Sequence, residues 1–266
     1  MKFFDTIGSD PEFAVISDTA PVSMVGVVAG TKENPQPIQI DGCCSLTDNV
    51  LVEFTIPACN SFSSVMDYIN KCKVLTQKEL QKINPTWTLN AISSVEFPES
   101  ELQTEQAQTF GCERSANIYT EDGLSTPVYA WQAGNNRSLG FHLHFGWENP
   151  SEINFKDFVF LCDLFLGVPS YIYDKDRWRR TLYGKLGEHR IKSYGGEYRS
   201  LGAMMIEYPE VVQLGLENIK TAIEKNKIEL LKDLYFNTMS HISFSNTLPL
   251  KMAKKLYKEI LKDLNN

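Results

Sequence analysis

Residues 137–146 read Arg-Ser-Leu-Gly-Phe-His-Leu-His-Phe-Gly, and the strict alternation from Leu139 onward is the period of a β-strand with two unlike faces. Phe141, Leu143 and Phe145 fall on one face and suit a core. Gly140, His142, His144 and Gly146 fall on the other. Two of the chain's four histidines stand on that strand, and imidazoles flanked by glycines describe an open surface that another group approaches closely.

Three further stretches place polar groups two residues apart, and so on one face of a strand. In Gly8-Ser9-Asp10-Pro11-Glu12-Phe13 the carboxylates of Asp10 and Glu12 project together as hard oxygen ligands, with Pro11 marking a strand start or a sheet edge. Alone, the same residues also read as a turn leading into a strand. In Asp48-Asn49-Val50-Leu51-Val52-Glu53-Phe54, Asn49 and Glu53 share a face opposite Val50, Val52 and Phe54, although Glu53 could equally be the solvent side of a half-buried sheet. In Tyr194-Gly195-Gly196-Glu197-Tyr198-Arg199, Glu197 and Arg199 share a face.

Around these stretches the sequence predicts strands at about 12–17, 50–56, 138–146 and 198–206, with weaker candidates at 23–29, 92–97 and 126–131. Helical spacing links Val65, Ile69, Cys72 and Leu75, and recurs over 154–166, where Asn154 caps the start and Gly167 ends the helix. Later helices follow Pro209, through Val212, Leu216, Ile219 and Ile223, and run along Met252, Leu256, Ile260 and Leu264. Strands in front and helices behind, without a βαβ alternation, predict an α+β fold with a mostly antiparallel sheet. Neither a GxGxxG turn nor a GxxxxGK[ST] loop is present, so any nucleotide is held another way.

The 266 residues, 42% hydrophobic and 22% charged, predict one folded domain spanning 1–266. The longest apolar run, Phe158 to Leu166, is interrupted by Asp163 and is too short to span a bilayer. The first residues show no secretory signal, and six cysteines without a CxxC pair read as buried thiols, so a cytosolic setting is expected. The net charge of −7 disfavours a nucleic-acid-coating role and is unevenly spread. Residues 1–70 hold nine acids against two bases, and residues 174–200 hold eight bases against four acids. An acidic segment facing a basic one suits metal cations and phosphate anions. Glycines beside Lys185, Arg190 and Arg199 would let guanidinium groups reach phosphate oxygens.

The ordered series GSDPEF, DNVLVEFTIP, FGCE, RSLGFHLHFG, DLFLGVPS, LYGKLGEHR and YGGEYRSL, between residues 8 and 206, resembles the phage-type COOH.NH2 ligases of type 2. These are carboxylate–amine ligases placed with glutamine synthetase and glutamate–cysteine ligase. The resemblance implies a curved antiparallel sheet of the glutamine synthetase type, with helices on its outer face and a helical C-terminal extension over 207–266. It implies ATP and two or more Mg²⁺ ions, the metals held by Asp10, Glu12, Glu53, Glu197 and one or both of His142 and His144. Arg199, with Arg190, Lys192 and Arg180, would neutralise the transferring phosphoryl group, and Arg137 and Lys185 would join Arg190 and Arg199 on the nucleotide. Glu113 receives no role, because Arg114 stands where the family has a longer polar pattern.

The expected reaction joins a small-molecule or peptide carboxylate to an amine through an acyl phosphate, in the cytosol of a bacterium or phage-infected host, without membrane or nucleic-acid partners. One alternative is a mononuclear metal enzyme, oxygenase or hydrolase, built on the two histidines and one carboxylate. The other is a non-catalytic nucleic-acid-binding protein using residues 175–199.

Overall fold

The computed structural model describes residues 1–18, 20–109, 114–126, 130–239 and 248–265. Its strands are β1 (Thr6–Ser17), β2 (Ala20–Val22), β3 (Gln36–Pro37), β4 (Cys44–Asp48), β5 (Leu51–Cys59), β6 (Trp87–Asn90), β7 (Ser94–Glu96), β8 (Ala116–Asn117), β9 (Asn136–Ser138), β10 (Phe141–Gly146), β11 (Glu188–Lys192) and β12 (Gly195–Tyr198). Its helices are α1 (Phe62–Ile83), α2 (Glu105–Gln108), α3 (Ala130–Ala133), α4 (Phe155–Cys162), α5 (Val168–Tyr173), α6 (Arg179–Leu182), α7 (Pro209–Glu224), α8 (Ile228–Met239) and α9 (Leu250–Asn265).

The main sheet runs β3-β4-β5-β1-β10-β12-β11-β8, with β2 and β6 on the far end of β1, and every described ladder is antiparallel. The fold is therefore α+β, as the order of elements predicts. β1 is long enough to pair with β5 and β10 at its start and with β2 and β6 at its end.

The alternation in β10 sorts its faces as expected. Phe141, Leu143 and Phe145 are wholly buried. Phe141 meets Phe62 of α1 at 6.4 Å between ring centroids, and Phe145 meets Phe158 of α4 edge-on at 4.9 Å. Each such side chain contributes about 1.5–3 kcal/mol through removal from water. The helices thus cover the face opposite the histidines. α1 begins at Ser61, whose hydroxyl accepts from the Ser64 amide at 3.2 Å. In α9, Leu256, Ile260 and Leu264 are buried with Ala253, while Met252 stays half-exposed.

Several local expectations are corrected. The segment at 23–29 is a turn, not a strand: the Val27 and Val28 amides both donate to the Met24 carbonyl, and Gly26 adopts φ 75°. Thr47 ties the turn down by donating to the Met24 and Val28 carbonyls. The strand expected at 198–206 ends at Tyr198. Residues 199–202 still run beside the start of β10, where Phe141 donates to the Leu201 carbonyl, but Ala203–Glu207 closes into a 3₁₀ helix. That short stretch of Ala, Met and Glu has little of the β-branched and aromatic content that holds a strand.

Gly167 does not end its helix. Asp163–Gly167 forms a π-turn leading into α5, with the Val168 amide donating to the Asp163 carbonyl. Pro169 has no N–H to continue the regular pattern, and the wider turn accommodates it. Gly167 is required for contact, since a Cβ there would lie 2.5 Å from Leu186 and 2.6 Å from the Tyr198 hydroxyl.

Of the strand expected at 126–131, residues 127–129 lie outside the described residues and 130–133 are helical. FGCE, at 110–113, also lies outside them. No helix among the described residues is long and apolar enough to cross a membrane.

Candidate functional site

The sheet order brings the separate sequence pairs onto adjoining strands. In register, Glu12 of β1 faces Glu53 of β5, Asp10 of β1 faces His142 of β10, and His144 of β10 faces Glu197 of β12. Arg190 of β11 faces Glu197 from the other side. One sheet face therefore carries a continuous row of carboxylates, imidazoles and cations.

At one end of this row, ligand oxygens of Glu12, Asp48 and Glu53 lie within 4.8 Å of one another. Asp48 is brought in by the tight β4–β5 hairpin, in which it pairs with Leu51 and Asn49 adopts φ 53°. The Lys32 ammonium lies 2.7 Å from Asp48 Oδ2. The Gly140 amide donates to Glu12 Oε2 at 2.6 Å. Burial, and then the Asp48 charge, push the Glu12 carboxyl up to about 7. Burial followed by Asp10, Asp48 and Glu12 drive Glu53 well above the usual carboxylate range. Like charges this close favour either a shared proton or a bound cation.

At the other end, Asp10, His144 and Glu197 also offer ligand atoms within 4.8 Å. His142 Nδ1 stands 3.2 Å from Asp10 Oδ1 and 3.4 Å from Glu197 Oε1, while His144 Nε2 stands 3.2 Å from Asp10 Oδ2. Burial opposes ionisation of Asp10, but His144 and His142 outweigh it and hold the carboxyl well below its usual range. Burial lowers His142 to about 3, so its ring is neutral. For His144 the burial effect is outweighed by Asp10 and the ring is held above its ordinary value.

Asp10 Oδ1 and His144 Nε2 are inaccessible to solvent and complete no hydrogen bond at these approaches. Hard oxygens with imidazole nitrogens, aimed inward and unsatisfied, fit a divalent cation at this end of the row.

Glu197 is almost fully buried and collects cations. Arg199 Nη1 bonds its Oε1, and Arg190 and Lys192 approach its Oε2 at 3.6 and 3.7 Å. Burial and then Asp10 push the Glu197 carboxyl up to about 6 despite Arg190 and Lys192. Arg190 and Lys192 remain partly exposed, so their heads can also meet a ligand.

Other sequence candidates stand elsewhere. Arg137 is buried and donates to Asn49 Oδ1 and to the carbonyls of Gly134, Asn136 and Ala107, which makes it a clamp on loops. Arg180 is buried over the Tyr171 ring at 3.9 Å and donates to Ser170 Oγ at 2.7 Å. Lys185 is half-exposed in the turn before β11, with its carbonyl accepting from Ser200.

The flanking glycines also differ from expectation. A Cβ on Gly140 would lie 2.4 Å from His142 Nε2, and one on Gly146 would lie 2.4 Å from Thr6 Oγ1. They make room for neighbouring side chains of this chain, not for an incoming group.

With this geometry in place, residues 122–266 match the family model described as phage phiEco32-like COOH.NH2 ligase-type 2. The chain belongs to that family. No curated protein and no solved structure matches it. The matched part of this ligase carries β10, β11 and β12, and so His142, His144, Arg190, Lys192, Glu197 and Arg199. It runs on through α7, α8 and α9, beyond the residue 206 at which the sequence motifs end. Asp10, Glu12, Asp48 and Glu53 precede the matched span. Membership supports an enzyme that joins a carboxylate to an amine.

The sequence did not single out Asp48 or Lys32; the signal for Asp48 was the two-residue turn at Asn49-Val50 between β4 and β5.

Proposed function

We propose that this enzyme, as one domain spanning 1–266, uses ATP to join a carboxylate to an amine through an acyl phosphate, on a sheet equivalent to that of glutamine synthetase. The observation that carries the reading is the row from Glu53 through Glu12, Asp10 and the two histidines to Glu197, flanked by Arg199, Arg190 and Lys192. Phosphoryl transfer needs charge stabilisation and positioning more than a protein nucleophile, and this row supplies both.

Asp10, Glu197 and the histidines would hold one Mg²⁺, and Glu12, Asp48 and Glu53 another, and the ions would supply positive charge for the phosphate oxygens. A substrate carboxylate oxygen attacks the γ-phosphorus and ADP departs. The amine nitrogen then attacks the acyl carbon, the C–O bond to phosphate breaks with phosphate leaving, and the nitrogen gives its proton to water. Arg190 and Lys192, whose heads are partly exposed, would meet the charge of the transferring phosphoryl group, while Arg199, buried and held by Glu197, would add its positive charge behind them. Arg137 and Arg180, committed to loops and core, are left out of this reading.

A mononuclear centre would leave the Glu12–Asp48–Glu53 group without a role, and a nucleic-acid-binding surface would leave both carboxylate groups without one. The described cysteines, all free thiols, suit the cytosol.

The test is chemical trapping. With MgATP, a panel of amino acids and short peptides as acids, and hydroxylamine as the amine, the enzyme should release hydroxamate, ADP and phosphate in equal amounts. Release of AMP and pyrophosphate would contradict the acyl phosphate.

A further inference from the structure

Each histidine of β10 has one ring nitrogen directed at the carboxylates and the other at a tyrosine hydroxyl. His142 turns Nδ1 to Asp10 and Glu197 and Nε2 to the Tyr183 hydroxyl at 3.4 Å. His144 does the reverse, turning Nε2 to Asp10 and Nδ1 to the Tyr194 hydroxyl at 2.6 Å. The tyrosines come from different turns: Tyr183 precedes β11, and Tyr194 lies in the tight turn between β11 and β12.

We propose that Tyr183 and Tyr194 are positioning residues that decide which nitrogen of His142 and of His144 presents its lone pair to a cation. The proposal rests on the reading that these histidines ligate a divalent ion.

A neutral imidazole carries one N–H and one lone pair, and the partner of the N–H fixes which nitrogen is left for the metal. A phenol oxygen accepting from Nε2–H of His142 leaves Nδ1 free to bind beside Asp10. A phenol accepting from Nδ1–H of His144 leaves Nε2 free. Two histidines on one strand thereby use opposite nitrogens toward the same carboxylate.

Tyr183 does a second job. Arg199 Nη2 donates to the same hydroxyl, and the Arg199 guanidinium sits 5.3 Å over the Tyr183 ring. The Arg199 fork and the His142 tautomer therefore share one anchor. A phenylalanine keeps the ring and its packing and removes only the acceptor, so Tyr→Phe isolates the hydroxyl.

The test is Mn²⁺ titration followed by electron paramagnetic resonance on the wild type, Tyr183→Phe and Tyr194→Phe, with melting temperatures measured in EDTA. Tyr194→Phe should melt like the wild type in EDTA, and Tyr183→Phe somewhat lower because the buried Arg199 loses an acceptor; each should bind Mn²⁺ about 10- to 100-fold more weakly, the usual effect of losing an outer partner of a metal-bound histidine. Unchanged affinity in a variant overturns the assignment for that tyrosine while the metal-site reading stands. A wild type that does not bind Mn²⁺ overturns that reading and the proposal with it. A second measurement needs no variant. Long-range ¹H–¹⁵N spectra of ¹⁵N-histidine-labelled wild type with Mg²⁺ should show His142 protonated at Nε2 and His144 at Nδ1, and the opposite tautomers would overturn the proposal.

Discussion

The two ends of the site row are built from the same sheet and are similarly buried, yet they are opposite in electrostatic character. At the Glu12–Asp48–Glu53 end, three carboxylates gather with Lys32 as the nearby cation, and Glu12 and Glu53 are pushed toward their protonated forms. At the Asp10–His144–Glu197 end, imidazoles and arginine answer the carboxylates and Asp10 is held ionised, although burial and Asp10 still raise Glu197 to about 6. Burial alone does not decide whether an acidic group is strained. Its partners do, and the strained end gains most from a divalent ion.

The largest expected effect tests whether the ends share one support. Leu143, on the apolar side of β10, is wholly buried, so Leu143→Ala should cost about 2–5 kcal/mol in denaturant unfolding and weaken cation binding at both ends. A smaller loss than His142→Ala or His144→Ala causes would mean the faces of β10 are inverted.

Next in size is a contrast in sign. In EDTA at pH 8, Asp10→Asn should destabilise by about 2 kcal/mol, because a carboxyl held below its usual range in the fold stabilises it when ionised. Glu53→Gln should stabilise by about 1 kcal/mol through relief of like-charge repulsion. Shifts of the same sign in thermal melts would erase the distinction between the ends.

Gly140→Ala should weaken Mn²⁺ at the histidine end by about 10-fold, since the added methyl displaces the His142 ring. Binding measured with Asp48→Asn as background isolates that end.

The last contrast lies beneath the row. Asp163 is buried under β12, accepts from the Tyr198 hydroxyl at 2.7 Å and is raised to about 7 by burial. A carboxyl raised in the folded state holds its proton there and releases it on unfolding, so its contribution to stability falls as pH rises from about 4 to 7. Asp163→Asn should flatten the melting profile over that window relative to the wild type. Parallel profiles would show that Asp163 does not titrate in it.

The faces of β10 and the shared face of Asp10 and Glu12 on β1 were legible because a two-residue period needs only local sequence; that the two carboxylates fall in separate clusters was not. Which pairs would meet was not legible, since Asp10 reaches His142 and His144 reaches Glu197 only through the strand order β5-β1-β10-β12. Asp48 was hidden because its placement belongs to the hairpin turn, not to the Glu53 strand. Arg137 and Arg180 looked like ligand-binding cations because charge was visible and burial was not. Gly167 looked like a helix end because its contacts with Leu186 and Tyr198 lie far along the chain.

The central claim is that this face binds nucleotide through divalent ions. Calorimetry of ATP binding tests it most directly, in Mg²⁺ and again in excess EDTA, with Glu197→Gln alongside. The account predicts clear binding with Mg²⁺, almost none in EDTA, and a higher Mg²⁺ requirement in the variant. Equal ATP affinity with and without Mg²⁺ would contradict it.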